Sequence, residues 1–273
     1  MSIRKVAASR GAGWITDGIA VFSRQPGAYI QACLFIGVIS SLPLVGVLFG
    51  LAMPIFYGGL LSLLRRQATG GIATPGQAFD GFKQPGALAR LLPIVLINIA
   101  VAIAIIVLVA VVLGTAIYQL IQSGQSLEAN PEILLALLPK FAVLLAILLP
   151  VGIALGWIML LAIPHAMLDE VPGMVALGEA WTAVRGNLLP LFVNLLCLML
   201  VMFVAVLIMI LPFAAIGVLQ QHSPALGLLL QVPVMAIFTS VILVIYCAVM
   251  YQAWAEIFGP ESAATPANDQ VLL

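Results

Sequence analysis

The chain has 273 residues, 64% of them apolar and only 7% charged, with a mean hydropathy of +1.24. Soluble domains carry roughly 45 to 50% apolar and about 25% charged residues, so a water-exposed globule is excluded and an integral membrane protein is expected. Ten Lys plus Arg against ten Asp plus Glu leave no net charge, which argues against a nucleic-acid partner, since that needs a clustered basic surface.

The first 25 residues carry Arg4, Lys5 and Arg10 but no compact apolar run ending in a small-residue cleavage site, so a removable signal peptide is not expected. Ile15, Ile19 and Phe22 recur at helical spacing opposite Thr16 and Asp17, the pattern of a helix lying in a membrane interface. From Gln25 to Leu64 there are 40 positions without an ionised residue. One helix of that length would reach about 60 Å, twice a bilayer core near 30 Å. A hairpin turning at Leu42 to Gly46 returns Arg65, Arg66, Lys83 and Arg90 to the side of Arg4, Lys5, Arg10 and Arg24, as the positive-inside rule requires.

Further charge-free runs cover Leu91 to Leu127, Phe141 to Leu168 and Gly186 to Ala255. The last is 70 residues long and reverses at Gln220-Gln221-His222-Ser223-Pro224. The expected fold is therefore all-α: a polytopic membrane helix bundle of six transmembrane helices arranged as three hairpins with short cytoplasmic interfacial helices. The spans fall at about 28–42, 46–64, 91–119, 138–161, 188–219 and 225–250 within a single membrane domain of residues 1–258, followed by a disordered cytoplasmic tail, 259–273. Both termini are then cytoplasmic in a bacterial inner membrane. Nine of the ten cations lie inside, and Lys140 reaches the outer interface along its stem.

Arg24-Gln25-Pro26-Gly27-Ala28 returns as Lys83-Gln84-Pro85-Gly86-Ala87, with a fainter copy at Arg185-Gly186-Asn187. Each follows an amphipathic stretch, so the chain reads as a threefold repeat of interfacial helix, cation and hairpin. With these motifs, the Pro54 to Leu60 segment and the Leu168 to Gly173 loop, the chain resembles a family of bacterial six-helix inner-membrane proteins. That family is loosely similar to the membrane domain of glycerophosphodiester phosphodiesterases. The resemblance implies a six-helix membrane protein and carries over no activity.

No HExxH, GxSxG or Walker-type motif occurs, and neither an enzyme, a cofactor nor a metal is expected. The densest polar group is His165, Asp169 and Glu170, followed by Glu179 and Arg185. His165 and Asp169 at i and i+4 could share a proton or a metal. The plainer reading is a loop in which Asp169 or Glu170 caps the next helix or pairs with Arg185 or another basic loop. Gln31, Asn98, Asn194 and Gln231 are polar residues inside apolar runs, read as helix-to-helix contacts or a polar pathway lined by Asn98 and Asn194. Gly46-xxx-Gly50, Ala110-xxx-Gly114 and Gly152-xxx-Gly156 are expected to let helices pack closely. Cys33, Cys197 and Cys247 are expected to be packing residues. Trp14, Trp157, Trp181 and Trp254 mostly fall near span ends, where a headgroup position is expected. Membrane lipids and other membrane proteins are the expected partners of a scaffold or accessory subunit. A permease for a neutral or amphipathic molecule, and a lipid-modifying enzyme using His165, Asp169 and Glu170, are the competing readings.

Overall fold

The computed structural model describes residues 3–42, 44–123 and 131–259. Their elements are α1 (Arg10–Phe22), α2 (Pro26–Ser40), α3 (Val45–Leu51), α4 (Met53–Ala68), a 3-10 turn (Pro75–Phe79), α5 (Asp80–Lys83), α6 (Ala87–Ser123), α7 (Pro131–Leu168), α8 (Gly173–Gly186), α9 (Leu188–His222) and α10 (Pro224–Ile257). The described residues are all-α. Residues 260–273, most of the expected tail, lie outside the described residues, as do 124–130, between α6 and α7.

Four helical stretches are long and apolar enough to cross a membrane: Ala87–Thr115, Leu137–Leu168, Leu188–His222 and Pro224–Ile257. A fifth arises if α3 and α4 count as one bent span. The expected span at 46–64 is thus not one helix. It breaks at Ala52 and bends by 68°. Pro54 sits at the start of α4, where it lacks a backbone donor and its ring would meet the carbonyl of Gly50 in a continuous helix. Helix α2 has 15 residues, about 22 Å of rise, short of a bilayer core. By contrast α6, α9 and α10 run on through Pro93, Pro212 and Pro233. The second interfacial element is also shorter than expected, a 3-10 turn followed by one helical turn, with Thr74 and Gln77 closing a reciprocal capping box.

The chain forms two compact units, Met1–Val95 with Ile158–Leu273, and Leu96–Trp157. In the smaller one, Leu113, Leu137 and Leu144 are buried together and pack with Leu108, Val109, Val112 and Leu148. Lys140 Nζ reaches Thr115 Oγ1 at 3.4 Å there.

In the larger unit α1 packs on α9 and α10, α2 on α10, and α4 on the 3-10 turn and α5. Glycine permits the closest approaches. A Cβ at Gly11 would fall 2.1 Å from the Pro190 carbonyl oxygen, and one at Gly37 would fall 2.5 Å from that of Ala236. Of the glycines read as packing motifs, Gly46 is at such an approach, a Cβ there falling 2.3 Å from the Ser40 carbonyl oxygen, whereas a Cβ at Gly50, Gly114, Gly152 or Gly156 would meet no atom of the described residues within 4 Å. A small-xxx-small pattern marks only where a neighbour could approach.

Candidate functional site

The polar side chains of the larger unit gather where the longer helices end and the short elements begin. At the centre of one group is His165, fully buried on the last turns of α7 rather than in the expected loop. Its Nδ1 lies 2.7 Å from Asp169 Oδ2 and its Nε2 lies 2.5 Å from Glu179 Oε2 on α8. An imidazolium donating from both nitrogens satisfies both carboxylates. Phe258 stacks on the ring at 4.2 Å between centroids. The Trp254 indole donates to the same Asp169 oxygen at 2.6 Å, so α7, α8 and α10 meet at one proton-sharing node.

The one-turn spacing of His165 and Asp169 is therefore used, but Asp169 caps no helix: the residue before α8 is Pro172, without a side-chain cap. Glu170 takes a left-handed conformation, φ 59°, which reverses the chain so that Glu179 returns to His165. Its own side chain is exposed and lies 3.9 Å from Arg90 Nη1. Arg185 sits over Trp181, 5.3 Å from the ring centroid.

A second group joins α10 to α1. Glu256, nearly buried, accepts from Arg10 Nε at 2.8 Å, from Arg10 Nη2, and from the Trp14 indole at 3.0 Å. Arg10 also donates to Asp17 at 2.7 Å. The hydrogen bonds that Arg10 gives to Glu256, and after it to Asp17, hold the guanidinium charged beyond its ordinary range against partial burial. Trp14 and Trp254 are buried against neighbouring helices, Trp157 is half-buried and Trp181 is exposed.

Contacts between the end of a longer helix and a short element occur at three places. Ser62 near the end of α4 donates to Asp80 of α5 at 2.8 Å. His165 near the end of α7 bonds Glu179 of α8. Glu256 near the end of α10 bonds Arg10 and Trp14 of α1, which closes the series on itself. The amides of the entry motifs recur too. Gln25 accepts from Ala73 N and donates to Gly71 O, both at 3.0 Å. Asn187 accepts from Val6 N at 2.8 Å and donates to Arg4 O at 3.0 Å. Gln84 departs from this, donating to Ser62 and Asp80 at 3.2 Å.

The four polar residues singled out within apolar runs are not gathered into one site. Asn194 is buried and donates to Gly11 O at 2.9 Å, tying α9 to α1. Gln231 accepts from Gln220 at 2.9 Å across the α9–α10 turn. Gln31 is exposed on α2, and Asn98 is half-buried on α6 in the smaller unit. Sequence reasoning missed Glu256, Gln25 and Asn187. Glu256 does leave a signal: it is the charge that ends the longest apolar run, with Trp254 two positions before it. Among the described residues no group of three or more His, Cys, Asp or Glu has the arrangement of a metal site.

No curated protein and no solved structure matches the chain. A family described as Domain of unknown function (DUF7847) matches residues 17–254, a range that holds His165, Asp169, Glu179 and Trp254 and leaves out Arg10, Trp14 and Glu256. On that match the chain belongs to the DUF7847 family.

Proposed function

We propose that this is a non-enzymatic scaffold or accessory subunit of a bacterial inner membrane, holding lipid or another membrane protein through its helix faces and interfacial helices. The observation that carries this reading is the state of the polar layer. His165 is fully buried with both ring nitrogens against carboxylates, so it offers no lone pair to a substrate proton or a metal without breaking the tie between helices. Asn194 is likewise engaged in packing. Between the helix ends no Asp, Glu, Lys or Arg interrupts Leu91 to Leu127 or Gly186 to Ala255, and an intramembrane charge is the usual mark of proton relay or ion coupling.

In this reading the six apolar segments cross as three hairpins, α2 and the bent α3–α4 pair forming the first, with both termini cytoplasmic. The gathering of Arg4, Lys5, Arg10, Arg24, Arg65, Arg66, Lys83, Arg90 and Arg185 in or beside the interfacial elements supports that sidedness. The likeness to the membrane domain of glycerophosphodiester phosphodiesterases belongs to the same reading. It rests on the Pro54 to Leu60 segment and the turn at Leu168 to Gly173.

Purification in mild detergent with identification of retained proteins and lipids tests the proposal. A stoichiometric membrane-protein or lipid companion is expected. A preparation that retains neither, yet drives flux of neutral solutes into liposomes, would instead establish the permease.

A further inference from the structure

The acids of the polar layer are occupied. Asp17 and Glu256 face Arg10, Glu170 faces Arg90, Asp169 and Glu179 face His165, and Asp80 is bonded to Ser62 and Gln84. Among the described residues Arg24, Arg65 and Arg66 have no carboxylate within 4 Å, and all three are exposed. Arg24 and Arg65 each give a hydrogen bond to a backbone carbonyl: Arg24 to Ala68 O at 3.3 Å, Arg65 to Leu168 O at 2.5 Å. A guanidinium has five N–H groups in a planar fork, so most of each fork is left over. Arg65 also lies 6.0 Å above the Trp254 ring.

Arg24, in the turn between α1 and α2, reaches the end of α4, and its bond to Ala68 O sets it beside the last turn that carries Arg65 and Arg66. Like charges gathered at one helix end repel, and an anion between them offsets that repulsion. An apolar group stands beside them. Ile72 is 80% exposed, yet its backbone is pinned on both sides, since Gln25 bonds Gly71 O and Ala73 N. Arg66 is next to that pin, with its Cγ 2.9 Å from where a Cβ on Gly71 would lie.

We infer that Arg24, Arg65 and Arg66, with Ile72 beside them, form a seat for the phosphate headgroup of an anionic membrane phospholipid. The cations take the phosphodiester and Ile72 enters the acyl region. The fixed apolar side chain is what selects a lipid over free phosphate. This rests on the membrane reading, which is tested separately: release of the protein from membranes by alkaline carbonate would remove it.

The seat itself is tested on detergent-purified protein by native mass spectrometry with phosphatidylglycerol, phosphatidylcholine or inorganic phosphate. Wild type is expected to retain phosphatidylglycerol over phosphatidylcholine. R24Q/R65Q is expected to lose about fivefold in affinity for each cation removed, while R24K/R65K keeps most of it and K83Q/R185Q, with cations removed elsewhere, keeps all. Should R24Q/R65Q not fold, I72D, altered only at an exposed side chain, is expected to show the loss. Equal loss in K83Q/R185Q, no loss in either seat variant, or displacement of the lipid by an equal concentration of phosphate would each overturn the assignment.

Discussion

Gln25 and Asn187 make the same contact at two places in the fold: each side-chain amide accepts from one backbone N–H and donates to the carbonyl two residues earlier. In both cases the amide stands at the entry of an apolar helix, α2 or α9, and grips the segment that leads into a short element, the 3-10 turn or α1. Gln25 grips residues 46 and 48 positions further along the chain and Asn187 grips the N-terminal segment, whereas Gln84 of the second motif copy makes no such grip.

Replacing either amide by leucine leaves a part-buried backbone donor and acceptor unpaired, at about 1–3 kcal/mol. Asn187, almost fully buried, is expected to cost more than the half-buried Gln25. Thermal unfolding in detergent reads the order: N187L should melt below Q25L, and both below wild type.

At the His165 node the ranking follows burial. His165→Ala leaves Asp169, 7% exposed, as an uncompensated buried carboxylate, a loss of about 3–5 kcal/mol. Glu179 is 43% exposed, so E179Q is expected to cost under about 1 kcal/mol. Unfolding midpoints for H165A and E179Q that coincide would contradict the node as drawn.

The glycines separate in a way the sequence motifs do not suggest. G11A forces a methyl into the Pro190 carbonyl, and overpacking of that kind costs about 1–3 kcal/mol. G152A and G156A meet open space and should stay within about 0.5 kcal/mol of wild type. Paired melting curves of G11A and G156A decide this.

Helicity, the apolar segments and the turn at Gln220 to Pro224 could be read from sequence because charge and hydropathy act locally. The break at Ala52 could not, although Pro54 was in plain view: Pro93, Pro212 and Pro233 sit inside helices that continue, so proline alone does not say which helix yields. His165, Asp169 and Glu179 were seen as neighbours in sequence, and their spacing gave the first contact. The rest of the node required Trp254 and Phe258 from α10, far along the chain. The indole partners were hidden for the same reason: Glu256 for Trp14 and Asp169 for Trp254 lie far along the chain from the rings that bond them.

The central claim is a membrane protein whose polar layer and cations lie on one side. Cysteine labelling from each side of sealed membranes tests it most directly, after Cys33, Cys197 and Cys247 are replaced by alanine. Lys5→Cys, Arg66→Cys, Lys83→Cys and Arg185→Cys should all react from the cytoplasmic side, and Gln122→Cys from the opposite one. Labelling of Lys83→Cys together with Gln122→Cys from the outer side would contradict the account.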